Sequence, residues 1–129
     1  MGVNLRTVLV VDDEPSIRYL WARVLATAGY EVVCTADAIE AEHALGEYRP
    51  AVVICDVHLT GASGLWLAEL IRRAHPSTAI ILVSADPTVP PCETLRSSVV
   101  AYLLKPVQRR QLLDAVEQGI EWVKRTRTL

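Results

Sequence analysis

Five short apolar runs punctuate the chain: Thr7 to Val11, Glu31 to Thr35, Ala51 to Cys55, Ala79 to Val83 and Val99 to Leu104. Val10, Val11, Val52, Val53, Ile54, Ile80, Ile81 and Val83 make these runs nearly continuous in β-branched residues rather than alternating. That is the pattern of parallel strands covered on both faces. Between the runs the period changes to that of a helix. Ile17, Leu20, Trp21, Val24 and Leu25 recur at helical spacing, with Pro15 in the first turn and Gly29 just past the end. Proline is pre-set for a first turn and glycine for the exit from a last one. Asp37 with Glu40 predicts a capping box for a second helix through about Leu45, and Ser63 predicts the cap of a third carrying Leu67, Leu70, Ile71 and Ala74. Pro50 and Pro76 stop them. Leu112, Leu113, Val116, Ile120 and Val123 line one face of a long terminal helix whose other face is charged.

Pro87, Pro90 and Pro91 leave room between the fourth and fifth runs for only a short helix, near Cys92 to Ser98. Strand and helix alternating five times predict a doubly wound, right-handed α/β domain, because each crossover must cover a face of the sheet. The 129 residues suit one such domain without a disulfide or metal staple. No linker, repeat or low-complexity tract divides it.

Composition narrows the function. Hydrophobic residues are 51% and charged residues 22%, which leaves no compositional case for a disordered or fibrous chain. A net charge of -2 without a basic stripe argues against a direct nucleic-acid partner. The apolar runs are strand length, far short of a bilayer span, and no signal peptide precedes them, so no membrane role is expected. Cys34, Cys55 and Cys92 form no CxxC pair and are odd in number, which predicts a reducing, cytoplasmic setting, with Cys34 and Cys55 as core thiols.

In open α/β sheets the functional crevice lies beyond the carboxyl ends of the strands. Polar residues gather there: Asp12, Asp13 and Glu14 after the first run, Asp56 after the third, Ser84 after the fourth, Lys105 and Pro106 after the fifth. Carboxylates at one edge repel and drift toward protonation unless a cation sits among them. Mg²⁺ takes one or two carboxylates and keeps waters, which fits Asp13, Asp56 and a nearby backbone carbonyl, with Asp12 acting through a bound water. An aspartate oxygen can attack phosphorus once the charge on the transferring group is neutralised, and Lys105 and the hydroxyl of Ser84 are placed to help. Pro106 would fix the chain direction beyond the lysine through a cis bond.

Taken singly, each residue has a plainer reading. Asp12 and Asp13 could be an acidic pair at a helix start, worth about 0.3–1 kcal/mol. Asp56 could cap a turn, Lys105 could be a solvated strand end, and Tyr102 reads equally as a packing aromatic. Their coincidence at one sheet edge reverses the odds. His43 and His75 have no zinc spacing and read as surface residues. Trp21, Trp66 and Trp122 read as core or rim anchors on helices. Arg109, Arg110, Lys124, Arg125 and Arg127 read as a solvated face and tail.

Asp12, Asp13, Asp56, Ser84, Tyr102 and the Lys105-Pro106 pair, in this order and across nearly the whole of residues 1–129, resemble the signature of response-regulator receiver domains of two-component signalling. The resemblance implies a flavodoxin-like receiver fold with strand order 2-1-3-4-5. It implies phosphotransfer to Asp56 from a histidine kinase or phosphotransfer protein, with Mg²⁺ required. It implies that Ser84 and Tyr102 switch a protein-interaction face presented to a downstream output protein or domain, or to a second copy in a phosphorylation-dependent homodimer. The metal-binding carbonyl falls on His58, and His58 and Asp86 take positions that tune the lifetime of the phosphoryl group. A receiver is not an enzyme beyond its own phosphorylation and dephosphorylation.

Departures from the pattern are specific. Leu59-Thr60 replaces the usual Met-Pro, so the loop after Asp56 is expected to loosen and Mg²⁺ affinity to change. Ser98-Val99 replaces Gly-Ala, and Val107 replaces the commoner Phe. Two alternatives compete: an aspartyl-nucleophile phosphatase, disfavoured because His58 stands where that family has an acid, and a phosphate-independent interaction module. A flavin protein is disfavoured because no Ser/Thr/Gly-rich loop follows the first run.

Overall fold

The structure is a computed structural model that describes residues 2–88 and 98–127. Five parallel strands alternate with helices: β1 Asn4–Val11, α1 Pro15–Thr27, β2 Glu31–Thr35, α2 Ala38–Tyr48, β3 Pro50–Asp56, α3 Gly64–Ala74, β4 Ala79–Ser84, β5 Val99–Leu104 and α4 Arg109–Thr126. The sheet order is β2-β1-β3-β4-β5, the expected flavodoxin-like winding. The short helix expected near Cys92 to Ser98, with Pro90 and Pro91, lies outside the described residues except for Ser98.

Each strand of the sheet's centre is buried on both faces, so its odd and even residues feed two separate cores. Leu9, Val11, Val53, Cys55, Ile80 and Leu82 pack with Ala41, Leu45, Leu67 and Ile71 of α2 and α3. Val8, Val10, Val52, Ile54, Ile81 and Val83 pack with Trp21, Leu25, Leu112 and Val116 of α1 and α4. This double burial is why the runs carry apolar residues without alternation.

The helix ends follow their local chemistry. Asp37 accepts from the Glu40 amide at 2.8 Å while the Glu40 carboxylate accepts from the Ala36 amide at 2.8 Å, and the Ser63 hydroxyl accepts from the Trp66 amide at 3.2 Å. Gly29, just past α1, has φ +99, which glycine adopts without a Cβ penalty. Helix α2 runs beyond Leu45 to Tyr48 and is closed by Arg49 in the left-handed conformation at φ 50. The following Pro50 disfavours helical geometry at Arg49 and turns the chain at once into β3.

Three expectations are corrected. Strand β1 begins at Asn4, three residues before the apolar run, because the Asn4 amide donates to the Arg49 carbonyl at 2.8 Å and the pairing with β3 continues across a register shift. Cys34 is exposed rather than core, since β2 is an edge strand and its outer residues are only half covered. Leu20 is 52% exposed, because α1 packs through Trp21 and Leu25 and turns Leu20 outward. Trp21 is core, Trp122 is half-buried and Trp66 is largely exposed.

Two glycines test this packing in opposite directions. A Cβ on Gly64 would collide with the Asp56 carbonyl and lie 2.8 Å from Val57 Cα, backbone atoms that cannot step aside. Gly46, inside α2, has open space around it. Gly64→Ala should lose about 1–3 kcal/mol or more to overpacking, whereas Gly46→Ala should gain about 0.5–1 kcal/mol from helix entropy. Urea unfolding of the two variants measures both, and a neutral Gly64→Ala would contradict the close approach.

Candidate functional site

The carboxyl ends of β1, β3, β4 and β5 open on one crevice. The loop after β1 carries Asp12 and Asp13, β3 ends in Asp56, β4 ends in Ser84, and Lys105 follows β5. The strand ends are tied together by backbone hydrogen bonds: Asp12 N–H to the Thr35 carbonyl at 3.2 Å, Val57 N–H to Val83 at 2.8 Å, and Lys105 N–H to Ser84 at 2.9 Å. The crevice residues are therefore fixed by the sheet itself. The Lys105-Pro106 peptide bond is cis, as the sequence led one to expect.

Carboxylate oxygens of Asp12, Asp13 and Asp56 lie within 4.8 Å of one another, the one such acidic group among the described residues. Asp12 and Asp56 are buried and Asp13 is exposed. The Lys105 ammonium donates to Asp12 Oδ2 at 3.0 Å and to Asp56 Oδ2 at 2.9 Å. The other oxygens of this pair take loop amides: Glu14 N–H on Asp12 Oδ1 at 2.9 Å and His58 N–H on Asp56 Oδ1 at 3.0 Å. Asp13 Oδ2 accepts from the Thr60 hydroxyl at 2.7 Å and the Thr60 amide at 3.2 Å.

Burial pushes the Asp12 carboxyl above its ordinary value, and the neighbouring Asp56 charge adds to the rise; the Glu14 amide and Lys105 oppose it without cancelling it. Burial works against the Lys105 ammonium, but its hydrogen bonds to Asp56 and Asp12 outweigh that and hold it above its ordinary value. One lysine against three carboxylates leaves a local excess of negative charge.

Ser84 is buried, and its hydroxyl accepts from the Asp86 amide at 3.0 Å and donates to the Asp86 carbonyl at 3.3 Å. It is in the crevice wall but engaged with its own turn. Asp86 Oδ1 accepts from the Thr88 hydroxyl at 2.7 Å and amide at 2.9 Å, which hold its carboxyl below the usual range, and the charge of His58 lowers it further. His58 and Asp86 are thus close enough for their charges to interact. Tyr102 is half-buried against the core under α2 and α3, its hydroxyl inside and without a partner among the described residues.

The sequence pattern missed two residues that shape the site. Arg18 reaches back from α1 to donate to the Asp12 carbonyl at 2.6 Å. Thr60 fastens the loop after β3 to Asp13, so the absence of proline there does not leave the loop untethered. Neither contact has a local spacing that would announce it, since Thr60 and Asp13 are 47 residues apart.

A doubly wound five-stranded sheet with three clustered aspartates and a lysine at its carboxyl edge defines a flavodoxin-like receiver. The response regulator receiver domain profile matches residues 8–117. The C4-dicarboxylate transport transcriptional regulatory protein DctD of Pseudomonas aeruginosa is 31% identical over 118 residues, 88% of this chain and 25% of its own length. The regulator of RpoS of Escherichia coli K12 is 33% identical over 104 residues, 80% of this chain and 31% of its own. The chain thus spans about a quarter to a third of these relatives. Among solved structures, the receiver domain of NtrX from Brucella abortus is 30% identical with a TM-score of 0.81, covering 88% of this chain and 98% of that one. A CheY-like receiver domain protein from Methanospirillum hungatei JF-1 is 25% identical with a TM-score of 0.84, covering 95% and 99%.

The chain belongs to the response-regulator receiver family. Receiver domains are generally non-enzymatic signalling modules, and they generally bind Mg²⁺ at an acidic pocket. The donors present here fit that ion: hard carboxylate oxygens, clustered, with net negative charge beyond what Lys105 offsets. Among the described residues, no helix is long and apolar enough to cross a membrane.

The charge balance makes a pH prediction for the metal-free protein. Asp12, with a raised value in the folded state, contributes stability that is present below the ordinary carboxylate range and lost as pH rises through its raised value. Lys105 contributes below its ordinary value and loses that contribution only as pH rises through a still higher one. Removing the lysine leaves the carboxylates uncompensated once ionised. In EDTA, Lys105→Met should therefore lose more stability at about pH 8 than at about pH 4.5, read as urea midpoints against the parent. Equal losses at both would contradict the charge argument.

Proposed function

We propose that this chain is a phosphoacceptor receiver in which Asp56 takes a phosphoryl group from the phosphohistidine of a histidine kinase or phosphotransfer protein. The observation that carries the reading is the Asp56 carboxylate itself, buried at a strand end, held by Lys105 at 2.9 Å and clustered with Asp12 and Asp13. Asp12, Asp13, Asp56 and the backbone carbonyl of His58 are the residues that would hold Mg²⁺. When bound, the ion supplies charge neutralisation at the transferring group.

An Asp56 oxygen forms the new bond to phosphorus as the phosphorus–nitrogen bond of the donor breaks, and the imidazole leaves with the electron pair and takes up a proton. Lys105 is positioned to shift from a carboxylate oxygen to a phosphoryl oxygen. The product carries about -1.5 to -2 of charge. That charge would draw the Ser84 hydroxyl out of its turn with Asp86, and Tyr102, next along β5, would register the change in the packed edge. The face read by a downstream output protein or domain, or by a second copy, is then β5 with the terminal helix α4 and the segment between β4 and β5, most of which lies outside the described residues. Residues 1–129 act as one receiver domain in this reading, and Pro106 sets the direction in which the chain leaves Lys105.

Intact mass after incubation with acetyl phosphate and Mg²⁺ tests this directly. One phosphate per parent chain and none on Asp56→Asn is the expected outcome. Multiple turnover of a phosphate monoester would favour a phosphatase instead, and indifference to both acetyl phosphate and beryllium fluoride a phosphate-independent interaction module.

In this reading His58 and Asp86, two residues beyond Asp56 and Ser84, stand beside the path of an attacking water. His58→Asn should change the half-life of phosphorylated Asp56, followed by loss of the labelled species. Identical half-lives would remove His58 from lifetime control.

A further inference from the structure

The three crevice carboxylates share a regularity. Each has one oxygen taken by a loop amide: Asp12 Oδ1 by Glu14, Asp56 Oδ1 by His58, and Asp13 Oδ2 by Thr60. The second oxygens of Asp12 and Asp56 are both on Lys105. Asp13 Oδ1 has no donor among the described residues. Asp13 is also the exposed member of the three, the one whose side chain has no burial to fix its orientation. What holds it is Thr60, through the amide at 3.2 Å and the hydroxyl at 2.7 Å on the same oxygen.

We infer that Thr60 is a positioning residue for the cation: it pins Asp13 by Oδ2 so that Oδ1 is presented to the crevice, and in doing so favours Mg²⁺ over larger divalent ions. This deepens the proposed function and rests on it. Residues outside the ligand set that orient a ligand typically change metal affinity by about 10–100-fold when lost. The two donors also withdraw charge from Asp13, which opposes ligation. At an exposed carboxylate, however, water would donate to the same lone pairs, so charge withdrawal is nearly the same with or without Thr60. Orientation is the difference that remains.

Selectivity follows from the ions. Mg²⁺ requires near-ideal octahedral geometry at about 2.0–2.1 Å, whereas Ca²⁺ accepts flexible arrangements at about 2.3–2.6 Å. A carboxylate released to swing penalises the smaller ion more. A proline at this position, which the family pattern would supply, has neither the hydroxyl nor the amide hydrogen.

Calorimetric titration of the full chain with Mg²⁺ and with Ca²⁺ tests the inference, using Thr60→Val, which lacks the hydroxyl, and Thr60→Ser, which keeps it. Thr60 is exposed, so both variants should fold, and thermal midpoints in EDTA verify that. The expected result is Mg²⁺ binding weaker by about tenfold in Thr60→Val, a smaller loss for Ca²⁺, and recovery of Mg²⁺ binding in Thr60→Ser. A parent that binds Mg²⁺ beside a Thr60→Val that binds it equally well overturns the inference and leaves the proposed function standing. Equal losses for both ions, or no recovery with serine, also overturn it. A parent that takes no Mg²⁺ overturns the functional reading and the inference with it.

Discussion

Lys105 gives its ammonium to Asp12 and Asp56 at once, and everything else at the carboxyl edge of the sheet is arranged around that shared cation. Two buried carboxylates so close together repel each other, and Asp13 adds a third acidic group at the rim. The fold meets the cost with loop amides on the remaining oxygens of Asp12 and Asp56. Even so, the balance is incomplete: burial still holds the Asp12 carboxyl above its ordinary value. The crevice is therefore a place where added positive charge is favourable, and that preference is built into the polypeptide before any ion arrives.

The sheet delivers these groups with little freedom because they sit where parallel strands end rather than in long loops. Asp56 is the last residue of β3, paired with Val83, and the backbone of Lys105 is bonded to that of Ser84. A displacement at the end of β4 is thus passed to the lysine through a backbone contact as well as through side chains. Gly64 lets the first turn of α3 come down on the carbonyl of Asp56, closing the other side. Any side chain there would push α3 away from the residue it helps to frame.

Much of this was legible in the residues. The central strands, buried on both faces, leave continuous apolar runs, so the positions of Asp12, Asp56 and Ser84 could be read directly, and the half-buried edge strand β5 was still apolar enough to place Lys105. What was not legible has a common cause: it depends on partners distant in sequence. The start of β1 is polar and is recruited by Arg49 and Pro50. Cys34 looks like a core residue in its apolar run, and that local pattern misleads although the expected strand order already put β2 at the edge. Leu20 has helical spacing with Trp21 and Val24, yet α1 rests on the sheet through a narrower stripe. Thr60 and Arg18 carry no periodic mark, and their importance appears only when two loops meet.

In the proposed function, the same excess of negative charge would let the crevice act as a sensor. A ligand that binds only the folded form stabilises it in proportion to its occupancy, so a cation entering among Asp12, Asp13 and Asp56 relieves repulsion and ties the β1 and β3 loops to each other. In that reading a phosphoryl group on Asp56 would do the reverse locally, adding charge that the existing donors would turn to meet. The donors within reach are Lys105, already shared, and Ser84, held in its turn with Asp86 by a bond of 3.3 Å to the carbonyl and one of 3.0 Å from the amide. Neither of these neutral bonds is strong compared with one to a charged phosphoryl oxygen, so Ser84 is the group with most to gain by moving. Its displacement would be felt along β4 and β5, where Tyr102 keeps a hydroxyl inside the core without a partner among the described residues. A buried unpaired hydroxyl costs about 1–3 kcal/mol, so in the proposed function a modest change at the crevice would be enough to tip the inward position of Tyr102.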